Sequence, residues 1–207
     1  MAPPDISPLR VGVLALQGDF ALHIAMLRSL PGVSTTEVRT PEELELVDAL
    51  VMPGGESTTL GMLMNRIGLD AAIKQCARQG MPLYGTCAGM ILMARGIEGA
   101  PEQPTLDLLD IDVARNAFGR QLESFEAELP WRSAAGDEST VHGVFIRAPW
   151  VTRAGEGVEI TSTCRGRIVG VRSGSMLATA FHPELTADIR VHEEFAAMAR
   201  HAAGQTV

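Results

Sequence analysis

The sequence has 207 residues, with 17 basic and 25 acidic side chains, a formal net charge of −8 and a hydrophobic fraction of 46%. That hydrophobic fraction, together with 20% charged residues, is typical of a folded globular protein and argues against an intrinsically disordered chain. The acidic balance argues against nucleic acid as a partner, because non-specific affinity for phosphate backbones comes mainly from lysine and arginine.

The first half of the chain alternates short apolar runs with helical patterns. Val11–Leu16 is nearly continuous in apolar residues and ends at Gln17 and Gly18, which is typical of a strand buried on both faces. A helix is predicted next, with Asp19 as its N-cap and Pro31 as its stop. The same patterns predict strands at Thr35–Arg39, Ala49–Met52 and Met81–Gly85, and helices at Pro41–Leu46, from Thr58 to about Arg78 with a break near Gly68, and at Gly89–Ala94.

The second half favours consecutive strands with glycine-containing turns between several of them. These strands are predicted at Leu122–Leu129, Val144–Ile146, Val158–Cys164, Arg167–Arg172 and Leu177–Phe181. A final helix is predicted at Asp188–His201, where apolar residues recur at helical spacing. We therefore predict an α/β fold in three layers: an open, mostly parallel sheet with helices on both faces and an antiparallel extension.

One domain is expected over residues 1–207, because the sequence contains no internal repeat, low-complexity tract or linker. Residues 1–8 and the last few residues are expected to be disordered, and the polar stretch Ser133–Thr140 to be among the less ordered parts. No stretch approaches the roughly 18 apolar residues of a membrane span, and residues 1–10 hold no apolar run suited to secretion. We therefore expect a cytoplasmic protein with no membrane contact.

A glycine-flanked cysteine is the strongest local signal for chemistry. Cys87 stands in Gly85-Thr86-Cys87-Ala88-Gly89, where a predicted strand turns into a predicted helix, and this has the form of a nucleophile elbow. Small neighbours permit a strained turn, and the N–H groups of the following helix favour a thiolate. The alternative is a buried structural cysteine beside a glycine-rich turn.

A thiol nucleophile needs a base, and His182 is the candidate because it follows an apolar strand in His182-Pro183-Glu184. Residues i and i+2 of an extended segment point the same way, so Glu184 is predicted to orient the imidazole that accepts the proton of Cys87. The alternative is an ordinary surface pair at the end of a strand. The other histidines are expected to be solvated, packed in helices or in a turn: His23, His142, His192 and His201.

A second glycine-rich turn, Pro53-Gly54-Gly55-Glu56-Ser57-Thr58, follows another buried strand. Its glycines let the backbone approach a ligand closely, and a free N–H there could join that of Ala88 in an oxyanion hole. The loop lacks the lysine of a phosphate-binding loop, so nucleotide binding is not supported. A plain structural turn remains the alternative.

Neither the cysteines nor the segment that begins at His192 predicts a metal site. Cys76, Cys87 and Cys164 are odd in number and match no zinc-ligand spacing. The segment His192-Glu193-Glu194-Phe195-Ala196 begins like the zinc motif H-E-x-x-H but lacks its second histidine. We expect no metal and no cofactor.

Taken together, the GTCAGM, PGGEST and HPE motifs resemble those of class I, or triad, glutamine amidotransferases. Longer stretches resemble the glutaminase subunits of two-component pyridoxal 5'-phosphate synthases: LALQGDF (14–20), RNAFGRQLESFE (115–126), FIRAP (145–149) and FHPELT (181–186). The resemblance extends over nearly the whole chain and implies the flavodoxin-like fold of class I glutamine amidotransferases.

The resemblance implies hydrolysis of L-glutamine to L-glutamate and ammonia. Cys87 would attack the side-chain amide, His182 would move the proton, Glu184 would orient His182, and a glutamyl thioester would form. Substrate binding is implied for Gly55, Glu56, Ser57, Arg115, Ile146 and Arg147. An oxyanion hole and its activation are implied for Gly54, Gly55, Ala88 and Gln17.

The resemblance also implies a partner, the (β/α)8-barrel synthase subunit, which receives the ammonia within a hetero-oligomeric complex. Gln17 stands where the family couples docking to the oxyanion hole, so a backbone rearrangement near Gly54 and Gly55 is expected on docking. Two alternatives stay open: another Cys-His-Glu hydrolase on the same fold, such as a γ-glutamyl peptidase, or a non-enzymatic thiol sensor.

Overall fold

A computed structural model describes residues 8–100, 102–115 and 124–204. Strands and helices alternate in the first half: β1 Leu9–Leu14, α1 Phe20–Arg28, β2 Val33–Val38, α2 Pro41–Leu44, β3 Ala49–Met52, α3 Ser57–Arg66, α4 Leu69–Arg78, β4 Leu83–Thr86 and α5 Ala88–Met93. Strands dominate the second half: β5 Ala94–Ile97, β6 Leu109–Ala114, β7 Ser124–Arg132, β8 Glu138–Ile146, β9 Trp150–Ala154, β10 Glu159–Cys164, β11 Arg167–Ser173, β12 Met176–Thr179, then a 3₁₀ turn at Pro183–Leu185 and α6 Arg190–Ala202.

Ten of the described strands form one sheet in the order β2-β1-β3-β4-β12-β11-β9-β6-β5, with β10 paired to β11. The strands from β2 to β12 are parallel, whereas each pair from β12 through β11 and β9 to β6 is antiparallel. The strands β7 and β8 form a separate antiparallel hairpin. The predicted parallel sheet with an antiparallel extension is confirmed.

Two groups of helices cover the sheet. The helices α1 and α6 contact each other and β1, while α3 contacts α4 and α5. Gly68 separates α3 from α4 in a left-handed conformation, with φ +74°, as the predicted break requires. None of the helices in the described ranges combines the length and the apolar character needed to cross a bilayer.

Aliphatic side chains of the parallel strands form the centre of the core. Val11, Val13, Leu50 and Val51 are fully buried, and each such side chain contributes about 1.5–3 kcal/mol on burial. Continuous apolar runs are what a strand covered on both faces requires. The parallel strands are therefore held rigidly, and they fix the positions at which the loops begin at their carboxyl ends.

Several predicted boundaries and details differ from the structure. Three short strands were not predicted, β5, β6 and β9, and Asp19 precedes α1 without a side-chain capping bond. The stretch Ser133–Thr140 forms the hairpin turn and the first residues of β8. The predicted disorder of the two ends falls mainly on residues 1–7 and 205–207, which lie outside the described residues. The single domain stays a prediction.

Candidate active site

The nucleophile elbow lies between β4 and α5. Cys87 is buried and has φ +48° and ψ −100°, a conformation that L side chains adopt rarely and at a cost on the order of 1–3 kcal/mol. A Cβ at Gly85 would lie 2.6 Å from the backbone carbon of Gly89, and one at Gly89 would lie 2.2 Å from the carbonyl oxygen of Met52. Both glycines are therefore required for the close approach of helix and strand at the cysteine.

Neighbouring parallel strands bring the predicted base to this elbow. Thr86 at the end of β4 pairs with Thr179 at the end of β12, and the Cys87 N–H donates to the Thr179 carbonyl at 2.8 Å. The chain then leads to His182, whose N–H donates to the Val144 carbonyl at 2.8 Å. Because carboxyl ends of parallel strands meet at one edge of a sheet, two residues far apart in sequence become neighbours.

The three residues of the predicted triad are in contact. The Cys87 thiol lies close enough to the His182 imidazole to raise the pKa of that ring, and His182 Nδ1 donates to Glu184 Oε1 at 2.7 Å. The predicted reason for the second contact was wrong, because Pro183–Leu185 is a 3₁₀ turn and not an extended segment. The turn folds Glu184 back onto the ring two residues earlier.

The charges of this cluster depend on one another. Burial alone would raise the pKa of Glu184, but the attraction of His23 and the hydrogen bond from His182 hold it well below its usual range. Burial alone would lower the pKa of His182, but its hydrogen bonds with Cys87 and Glu184 raise it to about 10. The imidazole is therefore a strong proton acceptor beside the thiol.

The loop after β3 packs against the imidazole. A Cβ at Gly54 would lie 2.3 Å from His182 Cε1, and a Cβ at Gly18 would lie 1.9 Å from the Gly54 carbonyl oxygen. Gln17 Oε1 accepts a hydrogen bond of 2.9 Å from the Glu56 N–H, and a Cβ at Gly55 would meet the same Gln17 oxygen at 2.7 Å. The structure thus brings this loop, Gln17 and the triad together.

A polar wall, defined by Glu56, Ser57, Gln103 and Arg115, stands next to that loop. Glu56 caps α3 by accepting from the N–H groups two and three residues later, at 3.1 and 2.7 Å; burial opposes ionisation, but these bonds lower its pKa to about 2. Arg115 donates to Glu56 Oε1 at 3.3 Å and to Gln103 Oε1 at 2.5 Å. Gln103 Nε2 donates in turn to Ser57 Oγ at 3.0 Å.

The remaining predicted site residues lie at two places around the thiol. The Ile146 carbonyl is 3.9 Å from Cys87 Sγ, and Arg147 follows it, exposed, with φ +45°. Ala88 is the first residue of α5 and is buried. The rest of the predicted Arg115 motif, residues 116–123, lies outside the described residues.

Comparison with known proteins identifies the family. The model of the SNO glutamine amidotransferase family matches residues 13–201. The chain belongs to this family. Pyridoxal 5'-phosphate synthase subunit PdxT of Parafrankia sp. is 50% identical over 200 residues, 96% of this chain and 97% of the relative. The PdxT of Herpetosiphon aurantiacus is 55% identical over 190 residues, 90% of this chain and 98% of the relative.

A solved structure of the same kind supports this placement. A protein described as "Crystal structure of glutamine amidotransferase" is 49% identical, with a TM-score of 0.85, covering 91% of this chain and 98% of its own. The predicted resemblance to glutamine amidotransferases, and the fold that it implies, are confirmed. The chain is therefore an enzyme of the glutaminase type.

Three polar residues of the site were not predicted: His23, Gln103 and His192. Helical spacing favoured packed or solvated roles for the two histidines, and both are completely buried. His23 Nε2 lies 3.3 Å from Glu184 Oε1, so one of them contacts the triad. No local pattern could have revealed this contact, because His23 lies near the start of the chain and Glu184 near its end.

Proposed function

We propose that Cys87, His182 and Glu184 form the catalytic triad of this glutamine amidotransferase. The chain hydrolyses L-glutamine and supplies ammonia for pyridoxal 5'-phosphate synthesis, in keeping with its family and with PdxT relatives about half identical over most of their length. One observation carries the assignment of the triad: the His182 imidazole stands between a strained, buried thiol and a buried carboxylate.

In the first half of the reaction, Cys87 Sγ attacks the side-chain amide carbon of glutamine. His182 takes the thiol proton, and because its Nδ1 donates to Glu184, Nε2 is the nitrogen that accepts it. The same proton passes to the departing nitrogen, which leaves as ammonia, and a glutamyl thioester remains. Water then attacks the thioester with His182 as base, releasing glutamate and restoring the thiol.

Charge develops on the amide oxygen during both attacks, and we assign its stabilisation to the N–H groups of Gly55 and Ala88. Gly54 and Gln17 hold the loop that carries the first of these, since Gln17 accepts from the Glu56 N–H. We assign binding of the zwitterionic substrate to six residues, whose carboxylate, guanidinium and backbone groups suit its two charged groups: Gly55, Glu56, Ser57, Arg115, Ile146 and Arg147.

The partner is, in this proposal, a (β/α)8-barrel synthase subunit that uses the ammonia. The names of the relatives, pyridoxal 5'-phosphate synthase subunit PdxT, support assembly with a synthase. The contact of Gln17 and Gly18 with Gly54 and Gly55 supports coupling of docking to the oxyanion hole, because a shift in one loop must displace the other. The cytoplasmic location stays a prediction.

Release of glutamate from glutamine, measured with and without the synthase subunit, tests the function. Cys87→Ala should abolish release and leave the fold intact, whereas Cys76→Ala, at a half-buried cysteine remote from His182 in sequence, should leave the rate unchanged. Wild-type release should rise when the synthase is added. Full activity in Cys87→Ala would overturn the triad, and partner-independent turnover of γ-glutamyl peptides in preference to glutamine would point to a peptidase.

A further inference from the structure

Two buried histidines stand behind the carboxylate of the triad. His23 in α1 and His192 in α6 have no exposed surface, and His23 Nδ1 lies 3.0 Å from His192 Nε2. On its other side, His23 Nε2 is 3.3 Å from Glu184 Oε1 and 3.2 Å from Thr86 Oγ1. His23 therefore touches both the acid of the triad and the residue before its nucleophile.

The contact with Glu184 favours one proton position on His23. Because an ionised carboxylate can only accept, the contact of 3.3 Å places a proton on His23 Nε2, and the Thr86 hydroxyl, 3.2 Å from the same nitrogen, is then a second acceptor. Desolvation holds the pKa of His192 down, at about 3, with a further contribution from His23, so His192 is neutral. If its single proton is on Nε2, it donates to His23 Nδ1 and leaves a bare lone pair on its own Nδ1, the ring atom for which the described residues provide no hydrogen-bond partner.

The opposite tautomer is less favourable. A proton on His192 Nδ1 would leave a buried N–H donor unsatisfied, and His23 would then need a second proton to bond His192 Nε2. Among the described residues, two further ionisable groups act near the pair. The Tyr84 hydroxyl is bonded to Thr179 Oγ1 at 3.0 Å and its ring is 6.3 Å from that of His23, and the charge of Asp188 acts on His192 to raise its pKa.

We propose that His23 is a positioning residue of the glutaminase: it donates from Nε2 to Glu184 Oε1, and His192 holds its ring in that orientation. The inference rests on the proposed triad. Within the described part of the chain, Glu184 Oε2 has no hydrogen-bond partner, so the directional support that these residues give this enclosed carboxylate comes through Oε1, from His182 and His23. Without the second donor, the carboxylate has one bond left to fix its orientation.

This arrangement predicts a split between kinetic constants. The recorded polar contacts of His23 are with Glu184, Thr86 and His192 and not with the polar wall, so its loss should leave substrate binding unchanged. A poorly held carboxylate supports the imidazolium less well, so proton transfer from Cys87 becomes slower. The change should therefore fall on kcat and leave KM nearly as it was.

Three variants test the inference in the full chain assembled with its synthase subunit. His23→Leu fills a similar volume without a donor, and His23→Gln keeps an amide N–H near the position of Nε2. His201→Leu, at an exposed histidine in the last turn of α6, is the matched control. We expect His23→Leu to lower kcat by about 10–100-fold with KM changed less than about 3-fold, and His23→Gln to recover most of the loss.

A second measurement needs neither glutamine nor the partner. The rate of Cys87 alkylation by iodoacetamide, followed against pH in the full chain, reports the thiolate that His182 stabilises. His23→Leu should shift this profile upward by about one pH unit, and His23→Gln should shift it less. Because a failed glutaminase would leave this profile measurable, failure of the proposed function and failure of the inference are distinguishable.

A kcat of His23→Leu within about 3-fold of the wild type, with an unshifted alkylation profile, would overturn the inference. So would equal losses in His23→Leu and His23→Gln, because packing alone would then explain them. If His23→Leu does not fold, His192→Leu replaces it: it frees the ring of His23, and an unchanged kcat and profile would again overturn the proposal.

Discussion

The two sides of Cys87 use the same kinds of side chain in different surroundings. Behind the thiol, Glu184 and His182 have side chains 0% and 9% exposed, and their contact is 2.7 Å. In the polar wall, Glu56 and Arg115 have side chains 46% and 32% exposed, and their contact is 3.3 Å. Each side is a carboxylate with a nitrogen donor, yet only the first is enclosed by protein.

The difference in exposure determines how much is lost when one partner of each pair is removed. Removing one partner of a buried charged pair leaves the other without compensation, whereas water and salt screen an exposed pair. The buried side is therefore expected to be intolerant of change and to act on the rate of chemistry. The exposed wall is expected to adapt, and to act on substrate affinity. The predictions below test this division.

The largest effect is expected from Glu184→Gln. The amide has nearly the same shape but no charge, so it no longer stabilises the His182 imidazolium, and its N–H₂ can face the ring in the wrong orientation. We expect kcat to fall by about 10³-fold or more, with KM changed little, in the glutamate-release assay. A loss of less than about 10-fold would show that the enclosed carboxylate contributes little.

The next effect is expected from Gly54→Ala. The new Cβ would lie 2.3 Å from His182 Cε1, so the ring or the loop must move, and a displacement of this size in a catalytic group costs on the order of 10²-fold in rate. Gly61→Ala is the control, because its Cβ would find its first neighbour at 3.6 Å. Equal kcat values for the two variants would contradict the contact between loop and ring.

On the other side of the thiol, Arg115→Gln should affect affinity. The guanidinium contacts Glu56 and Gln103 in a half-exposed wall, so we expect KM for glutamine to rise by about 10-fold with kcat within about 3-fold. Arg115→Lys keeps the charge but loses the planar guanidinium group, so its KM should lie between those of the wild type and Arg115→Gln. A kcat loss as large as that of Glu184→Gln would break the division between the two sides.

The sequence predicted which residues form the enclosed side of the site, but not the backbone conformation that joins them. Continuous apolar runs revealed β1, β3 and β4, and glycine spacing revealed the elbow at Cys87. The contact of His182 with Glu184 was predicted from an extended conformation, whereas Pro183–Leu185 is a 3₁₀ turn. The tripeptide alone does not indicate this turn, since the backbone of His182 just before it is bonded to Val144 on a distant strand.

Other features depend on contacts that no local pattern contains. The strand β5 follows α5 without a loop, and β9 follows a turn at residues 147–149, so neither has its own boundary signal. Gln103 stands in a loop, and only its bonds to Ser57 and Arg115 give it a place in the site. His23 reaches Glu184 because α1 packs against the 3₁₀ turn at Pro183–Leu185, a long-range contact.

The smallest effect is expected at His142, a partly exposed counterpart of His182 with 33% of its side chain exposed. It contacts Glu128 at 2.6 Å and Glu126 at 2.9 Å on the hairpin, and the hydrogen bonds that its ring donates to the two carboxylates raise its pKa. Since the folded-state pKa is raised, this stabilisation is complete below the unfolded value of 6.5 and is lost as pH rises through the folded one. In urea denaturation, His142→Gln should therefore lower the free energy of unfolding by less than about 1 kcal/mol at pH 5.5, and by less as the pH rises. A larger loss, or one that does not shrink as the pH rises, would mean that the hairpin encloses this histidine as the protein encloses His182, and the contrast between buried and exposed pairs would not hold.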